Sequence, residues 1–380
     1  MRGEKFDYFQ QLRFVERIIH QQRITQTTTH RFPRFFIARV PFLLCFSSMQ
    51  LQDTTDTTTL SYWLNWRLYL CATCVFLSMV LALIVLWKHG DSRKLTSGKG
   101  ENQQDRTLSG DEAWKPCLKE IHPACLLAFR LTAFSCLLTS LVAKIRINGG
   151  AIFFYYTQWT FTLVTIYFGF ASMLSVYGCY QHKKSSITID VNAARIDEEQ
   201  GPFMPLLHQD TINLSRMEHS ADPKIENHKN EAAPVWSYTF QILFQMNAGT
   251  VMLTDCVYWM IIFPFLTLKD YDFSFMTVNM HTLNLVLLLG DAALNCLKVH
   301  WFGMSFFVLW TSVYVIFQWT IHACVSIWWP YPFLDLSLPL APLWYLLVAL
   351  LHIPCYGFFK LIVDMKHYFL SKWFPSSYQC

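Results

Sequence analysis

The sequence predicts an all-α fold, a polytopic bundle of about seven transmembrane helices. Three observations predict it. Hydrophobic residues make up 53% of the 380, charged residues only 15%, and the mean hydropathy is +0.27. A soluble domain carries about 25% charge, so a water-facing surface of this size could not be covered. The apolar residues also gather into stretches of about 17–25, the length that crosses a hydrocarbon core. Finally, 32 Phe, 17 Tyr and 14 Trp exclude a chain that is disordered throughout.

The elements follow in order. Residues 1–60 form a basic, disordered N-terminal extension, and the first span occupies 61–88 with its apolar run at about 66–87. Residues 89–123 are a polar, disordered loop. The transmembrane core covers 124–364, with spans at about 124–143, 151–178, within 236–266, 275–297, 302–327 and 340–363. Inside it, loop 180–234 lacks apolar periodicity and reads as disordered. Residues 365–380 form a C-terminal tail. Trp328-Trp329 and Tyr62-Trp63 fit aromatic belts at the membrane–water boundary.

Charge is distributed unevenly. Residues 1–48 hold eight Lys/Arg against three Asp/Glu, and most of the remaining basic residues lie in loops beside spans. That pattern excludes a nucleic-acid footprint, which needs a clustered basic face. Loop 88–122 carries seven Lys/Arg and loop 181–234 carries six. With Lys298, Lys360, Lys366 and Lys372, that side sums to 17, against Lys144, Arg146 and Lys269 opposite. The positive-inside rule places the long loops and the tail in the cytosol. The basic segment 1–48 opposes that orientation, and it reads as an upstream extension ahead of Met49. The expected location is an endomembrane or the plasma membrane. A glycan at the sequon Asn213-Leu214-Ser215 would invert the orientation.

Twelve cysteines are scattered, mostly in apolar runs where cysteine acts as a small hydrophobe. Cys71-Ala-Thr-Cys74 lacks the further ligands that zinc needs, so no metal and no cofactor is expected.

Ionisable groups inside spans are costly and mark functional sites or interhelical locks. They are Arg130, Asp255, His281, Asp291, His322 and His352. Three helical stripes organise the polar residues. Thr277, His281, Asn284, Leu288, Asp291 and Asn295 share one face of the fifth span. Gln241, Gln245, Ala248, Met252, Asp255 and Trp259 share one on the fourth, and Thr157, Thr160, Val164 and Tyr167 share one on the third. In the expected orientation Thr157 and His281 both lie roughly 9 Å below the outer boundary, with Asp255 roughly 13 Å deep. Asp291 lies about 15 Å deeper than His281. Histidine can take the proton of a threonine hydroxyl during attack, and a carboxylate can orient the imidazole. Thr157 and His281 are therefore the candidate catalytic pair, with Asp255 as orienter. Thr160, Asn284, Gln245 and Asp291 are candidate binding residues. The expected partners are membrane lipids and a lipid ester substrate, without nucleic acid; nothing names a protein partner.

These residues carry a resemblance. Tyr155-Tyr156-Thr157-Gln158-Trp159 is followed by Phe168-Gly169; Asn279-Met280-His281-Thr282 and Tyr331-Pro332-Phe333-Leu334-Asp335 come later in the chain. In order and separation they resemble the androgen-induced and androgen-dependent TFPI-regulating membrane proteins and the related rolling stone proteins, over roughly 124–364. The resemblance implies hydrolysis of fatty acid esters of hydroxy fatty acids by a Thr nucleophile and a His, here Thr157 and His281. The Asn-His that often precedes the Met-His-Thr core is replaced by Thr277-Val278, and Asp255 has no clear counterpart. The first span and the two long loops are extra, as in rolling stone-like proteins. That branch implies the alternative, a non-catalytic membrane protein with a structural, cell-fusion or partner-binding role. A transporter lacks support because no inverted repeat is visible. A G-protein-coupled receptor is discounted for want of its Asp-Arg-Tyr and Asn-Pro-x-x-Tyr signatures.

Overall fold

Seven helices of twenty or more residues build the described part of the chain, and no β-strand occurs there. The structure, a computed structural model, describes residues 56–96, 113–199, 235–267 and 275–380. For 91–96, 185–199, 263–267 and 275–278 it describes the backbone alone. The readings made for 1–55, 97–112 and 200–234, and for Asn213 and Lys269, lie outside the described residues.

The helices are α1 (Trp66–Thr96), α2 (Pro123–Asn148), α3 (Tyr156–Glu199), α4 (Val235–Val257), α5 (Phe275–Leu294), α6 (Met304–Cys324) and α7 (Ala341–Trp373). Five stretches are long and apolar enough to cross a membrane: Trp66–Gly90, Pro123–Asn148, Tyr156–Lys184, Trp301–Cys324 and Ala341–Trp373. The expected fourth and fifth spans are helical too, as α4 and α5, but they do not meet that standard. The reason is visible in α4. It packs against α3, α5, α6 and α7. Its Gln241, Gln245, Asn247, Thr250, Thr254 and Asp255 are all buried. A helix that four neighbours bury over most of its length has little need of an apolar surface. α1 is the opposite case, since Phe76, Leu77, Val80, Leu81 and Leu83 are all at least half exposed. In a bilayer that surface is covered by acyl chains.

Among the described residues, 56–96, 113–199, 235–258 and 275–380 belong to one compact unit. The second unit contributes Trp259–Thr267 among the described residues, which with Tyr258 forms a ten-residue π-helical stretch.

Local chemistry sets the helix ends. His122 caps α2, accepting from Ala124 N through Nδ1 at 3.1 Å, with Pro123 at the first helical position. α2 stops at Gly149, whose φ of 69° an L side chain rarely adopts. A 3-10 turn, Gly150–Phe154, then leads into α3. Four helices run past their expected ends. α3 continues to Glu199, through the first part of the loop assigned to 180–234, α1 to Thr96, α2 to Asn148, and α7 to Trp373, into the segment assigned to a C-terminal tail. Once a span has nucleated a helix, Ala193, Ala194, Arg195 and Glu198 extend it in water at little cost. Segment 113–123, also assigned to a loop, is packed, with Trp114 and Cys117 buried.

Candidate functional site

Thr157 lies in the first turn of α3, and the turn before it is pinned. Trp159 Nε1 donates to Phe153 O at 2.8 Å. Tyr314 OH and Gln318 Nε2, both on α6, donate to Phe154 O at 2.8 and 2.7 Å. Tyr156 OH pairs with Thr311 Oγ1 at 2.9 Å. With the turn fixed, Thr157 points inward and is only 8% exposed. Its closest polar partner is Tyr331, in the connection between α6 and α7. The Tyr331 hydroxyl stands 3.4 Å from both Thr157 Oγ1 and Thr157 N. Burial raises the Tyr331 phenol above its ordinary range, so it remains a neutral O–H. The amide of Thr157 has no intrahelical partner at this helix start, where the dipole favours negative charge, and it donates to that same hydroxyl.

α3 and α5 meet at the same level. Gln158 Nε2 donates to Met280 Sδ at 3.1 Å, joining the residue after Thr157 to the residue before His281. His281 is itself 8% exposed, and its ring stacks on Tyr258 with centroids 3.6 Å apart and planes 5° apart. Tyr258 is where α4 passes into the π-helical stretch, a deviation that recurs at functional sites. Thr160 meets Thr254 of α4, with hydroxyls 3.1 Å apart. Asp255, the next residue, is 6% exposed. Asp255 Oδ1, Gln158 Oε1 and Asn284 Oδ1 accept no hydrogen bond among the described residues. Thr157, Thr160, Asp255, His281 and Asn284 are therefore all buried, on the three helices that the polar stripes named. The side chain of Thr277 lies outside the described residues.

Asp291 and Gln245 have other roles. Asp291 accepts from Arg130 Nε at 2.7 Å, from Asn295 Nδ2 at 2.8 Å, and from the Tyr167 hydroxyl. Arg130 Nη1 also donates to Ala113 O at 2.9 Å and Ser175 Oγ at 2.8 Å, and its guanidinium lies over the Phe240 ring. Both charges are fully buried. The network locks α2, α3 and α5 together and occupies every oxygen of the carboxylate. Gln245 is spent on the α5–α6 connection. Its Nε2 donates to Lys298 O at 3.2 Å and its Oε1 accepts from His300 N at 3.2 Å and from Tyr356 OH. His322 and His352, also buried, donate from Nδ1 to carbonyls of their own helices, Gln318 O and Val348 O.

The sequence shows the Tyr-Pro-Phe-Leu-Asp motif at 331–335 but does not mark Tyr331 as a neighbour of Thr157. Nothing in the sequence pairs residue 331 with residue 157. Comparison with family models, curated proteins and solved structures finds no significant match to this chain.

Proposed function

We propose that the protein is a multi-pass membrane hydrolase of lipid esters, with Thr157 as nucleophile and His281 as base. The observation that carries the reading is the setting of Thr157. Its hydroxyl is buried at a helix start against the Tyr331 phenol, at the level where α3 meets the His281 helix. In this reading the seven helices all cross the membrane, with α4 and α5 as the inner pair.

The chemistry is then that of acyl transfer. His281 takes the Thr157 proton as Oγ1 attacks the ester carbonyl. The Tyr331 O–H, 3.4 Å from the Thr157 hydroxyl, is a donor beside the charge that develops, the kind of preorganised group that favours a tetrahedral intermediate. The leaving alcohol takes the proton from His281, and water then releases the fatty acid from Thr157. Asp255, Gln158 and Asn284 offer acceptors to a hydroxyl or water beside the reacting bond, and Asp255 is the candidate orienter of His281. The substrate reaches the site from the bilayer, in the plasma membrane or an endomembrane. The alternative, a non-catalytic rolling stone-like protein, draws support from the saturated Arg130–Asp291 lock, which is pure architecture.

The experiment uses purified full-length protein and a fluorophosphonate probe. Thr157→Ala is expected to abolish labelling and ester turnover at unchanged abundance, and Thr157→Ser to retain labelling. Equal turnover in wild type and Thr157→Ala would reject the catalytic role.

A further inference from the structure

At the end of α5 remote from His281, three segments of the chain close on one another. Segment 113–120 lies against the end of the helix, with Cys117 N donating to Leu294 O at 2.8 Å. Residues 374–380 lie against that segment in turn. Lys119 N donates to Ser377 O at 2.8 Å, and Gln379 N to Cys117 O at 3.1 Å.

The closure gathers three sulfurs. Cys296 and Cys380 form a disulfide across 84 residues of sequence. Cys117 Sγ lies within 4.8 Å of both. Cys117 and Cys296 are buried at 1% and 2% exposure, whereas Cys380 is half-buried. The Cys117 thiol donates to Asn295 O. The Lys366 ammonium donates to Cys117 Sγ at 3.2 Å, and to Ala292 O and Asn295 O at 2.9 and 2.8 Å. A thiol held close to a disulfide and next to a fixed cation is the neighbourhood in which exchange takes place, once the attacking sulfur swings into line with the S–S bond.

We infer that Cys117, Cys296 and Cys380 form an intramolecular thiol–disulfide exchange site, in which Cys117 attacks Cys296 and releases Cys380. The Cys117–Cys296 bond forms as the Cys296–Cys380 bond breaks. The electron pair leaves on Cys380 Sγ, which ends with the proton that Cys117 gave up, so no outside oxidant or reductant is consumed. Cys380 is the better leaving group because that residue is only half-buried, whereas a released Cys296 thiolate would be buried. Burial raises the Cys117 thiol above its ordinary range and the Lys366 charge opposes that rise. The resting form is therefore a thiol, which ionises beside Lys366 when it attacks. Exchange moves the covalent tie from residues 374–380 to segment 113–120, leaving the former held by hydrogen bonds. The Lys/Arg count places this face in the cytosol, where disulfides are mostly transient or redox-sensing. A metal on the same sulfurs would have the Lys366 ammonium as its neighbour, which disfavours a cation.

The test is disulfide mapping on the full-length protein in detergent, purified without reductant. Samples are incubated, acid-quenched, alkylated and digested with trypsin, which separates the three cysteines onto residues 107–119, 270–298 and 373–380. Wild type is expected to yield both the Cys296–Cys380 and the Cys117–Cys296 linkages. Cys117→Ser is expected to yield the first alone, and Cys380→Ser with oxidised glutathione the second alone. Lys366→Gln is expected to slow the exchange roughly tenfold, the effect of one unit of lost thiolate stabilisation. Should Lys366→Gln fail to fold, the two cysteine variants still decide. The inference is overturned if wild type keeps only Cys296–Cys380 while Cys380→Ser leaves Cys117 and Cys296 as two thiols. It is equally overturned if reduced wild type binds one zinc per chain that Cys117→Ser loses.

Discussion

Replacing Asp291 with alanine strands a positive charge in the middle of the bundle. The carboxylate accepts from Arg130 Nε at 2.7 Å and Nη2 at 3.4 Å, from Asn295 Nδ2 at 2.8 Å and from the Tyr167 hydroxyl. Without it, a guanidinium at 0% exposure keeps Ser175 Oγ, the carbonyls of Ala113 and Ala171 and the face of Phe240, none of which carries a negative charge. Removing one member of a buried pair costs about 3–5 kcal/mol, because the other charge stays desolvated. At about 2–4 °C per kcal/mol for a domain of comparable size, Tm should fall by on the order of 10 °C. The assay is a thermal unfolding scan in detergent, followed by size exclusion to confirm that the protein was folded at the start. The double variant Arg130→Met/Asp291→Leu should recover most of the loss, since removing both charges of a buried pair is often close to neutral. An Asp291→Ala protein as stable as wild type, or a double variant as damaged as the single one, would refute the reasoning.

Three further outcomes are expected. Tyr331→Phe keeps the ring and removes the hydroxyl that faces Thr157, so ester turnover should fall by about ten- to a hundredfold with Tm unchanged, given the 3.4 Å separation and the larger effects seen for tighter donors; full turnover would remove Tyr331 from the site. Gly249→Ala places a Cβ about 2.1 Å from Phe307 Cδ1, so α4 and α6 must part and stability should drop by about 1–3 kcal/mol in the same unfolding scan. Lys360→Ala breaks an ion pair with Asp364, which is half exposed, and should shift stability by less than about 0.5 kcal/mol.

Among these residues, some roles could be read from the chain and others could not. Thr157, Thr160, Asp255, His281 and Asn284 were placed on inward faces by periodicity alone, and all are buried. Periodicity could not tell a ligand-facing group from a lock. Asp291 shares a stripe with His281, yet it answers Arg130 across 161 residues of sequence. Gln245 shares one with Asp255, yet it holds the α5–α6 connection. Nothing in the sequence sets Cys117, Cys296 and Cys380 apart from the other nine cysteines; only the fold brings their sulfurs within 4.8 Å.

The sequence by itself determined that the chain is a bundle of membrane helices, and roughly where each lies. Hydropathy and helical period are sums over about twenty neighbouring residues, and such sums need no knowledge of the rest of the chain. Only the tertiary structure decided that α4 is enclosed by α3, α5, α6 and α7, that Tyr331 closes over Thr157, and that a charge on α2 is met by one on α5. Those are pairings between groups far apart in sequence, and the energy that selects them exists only once the helices have packed.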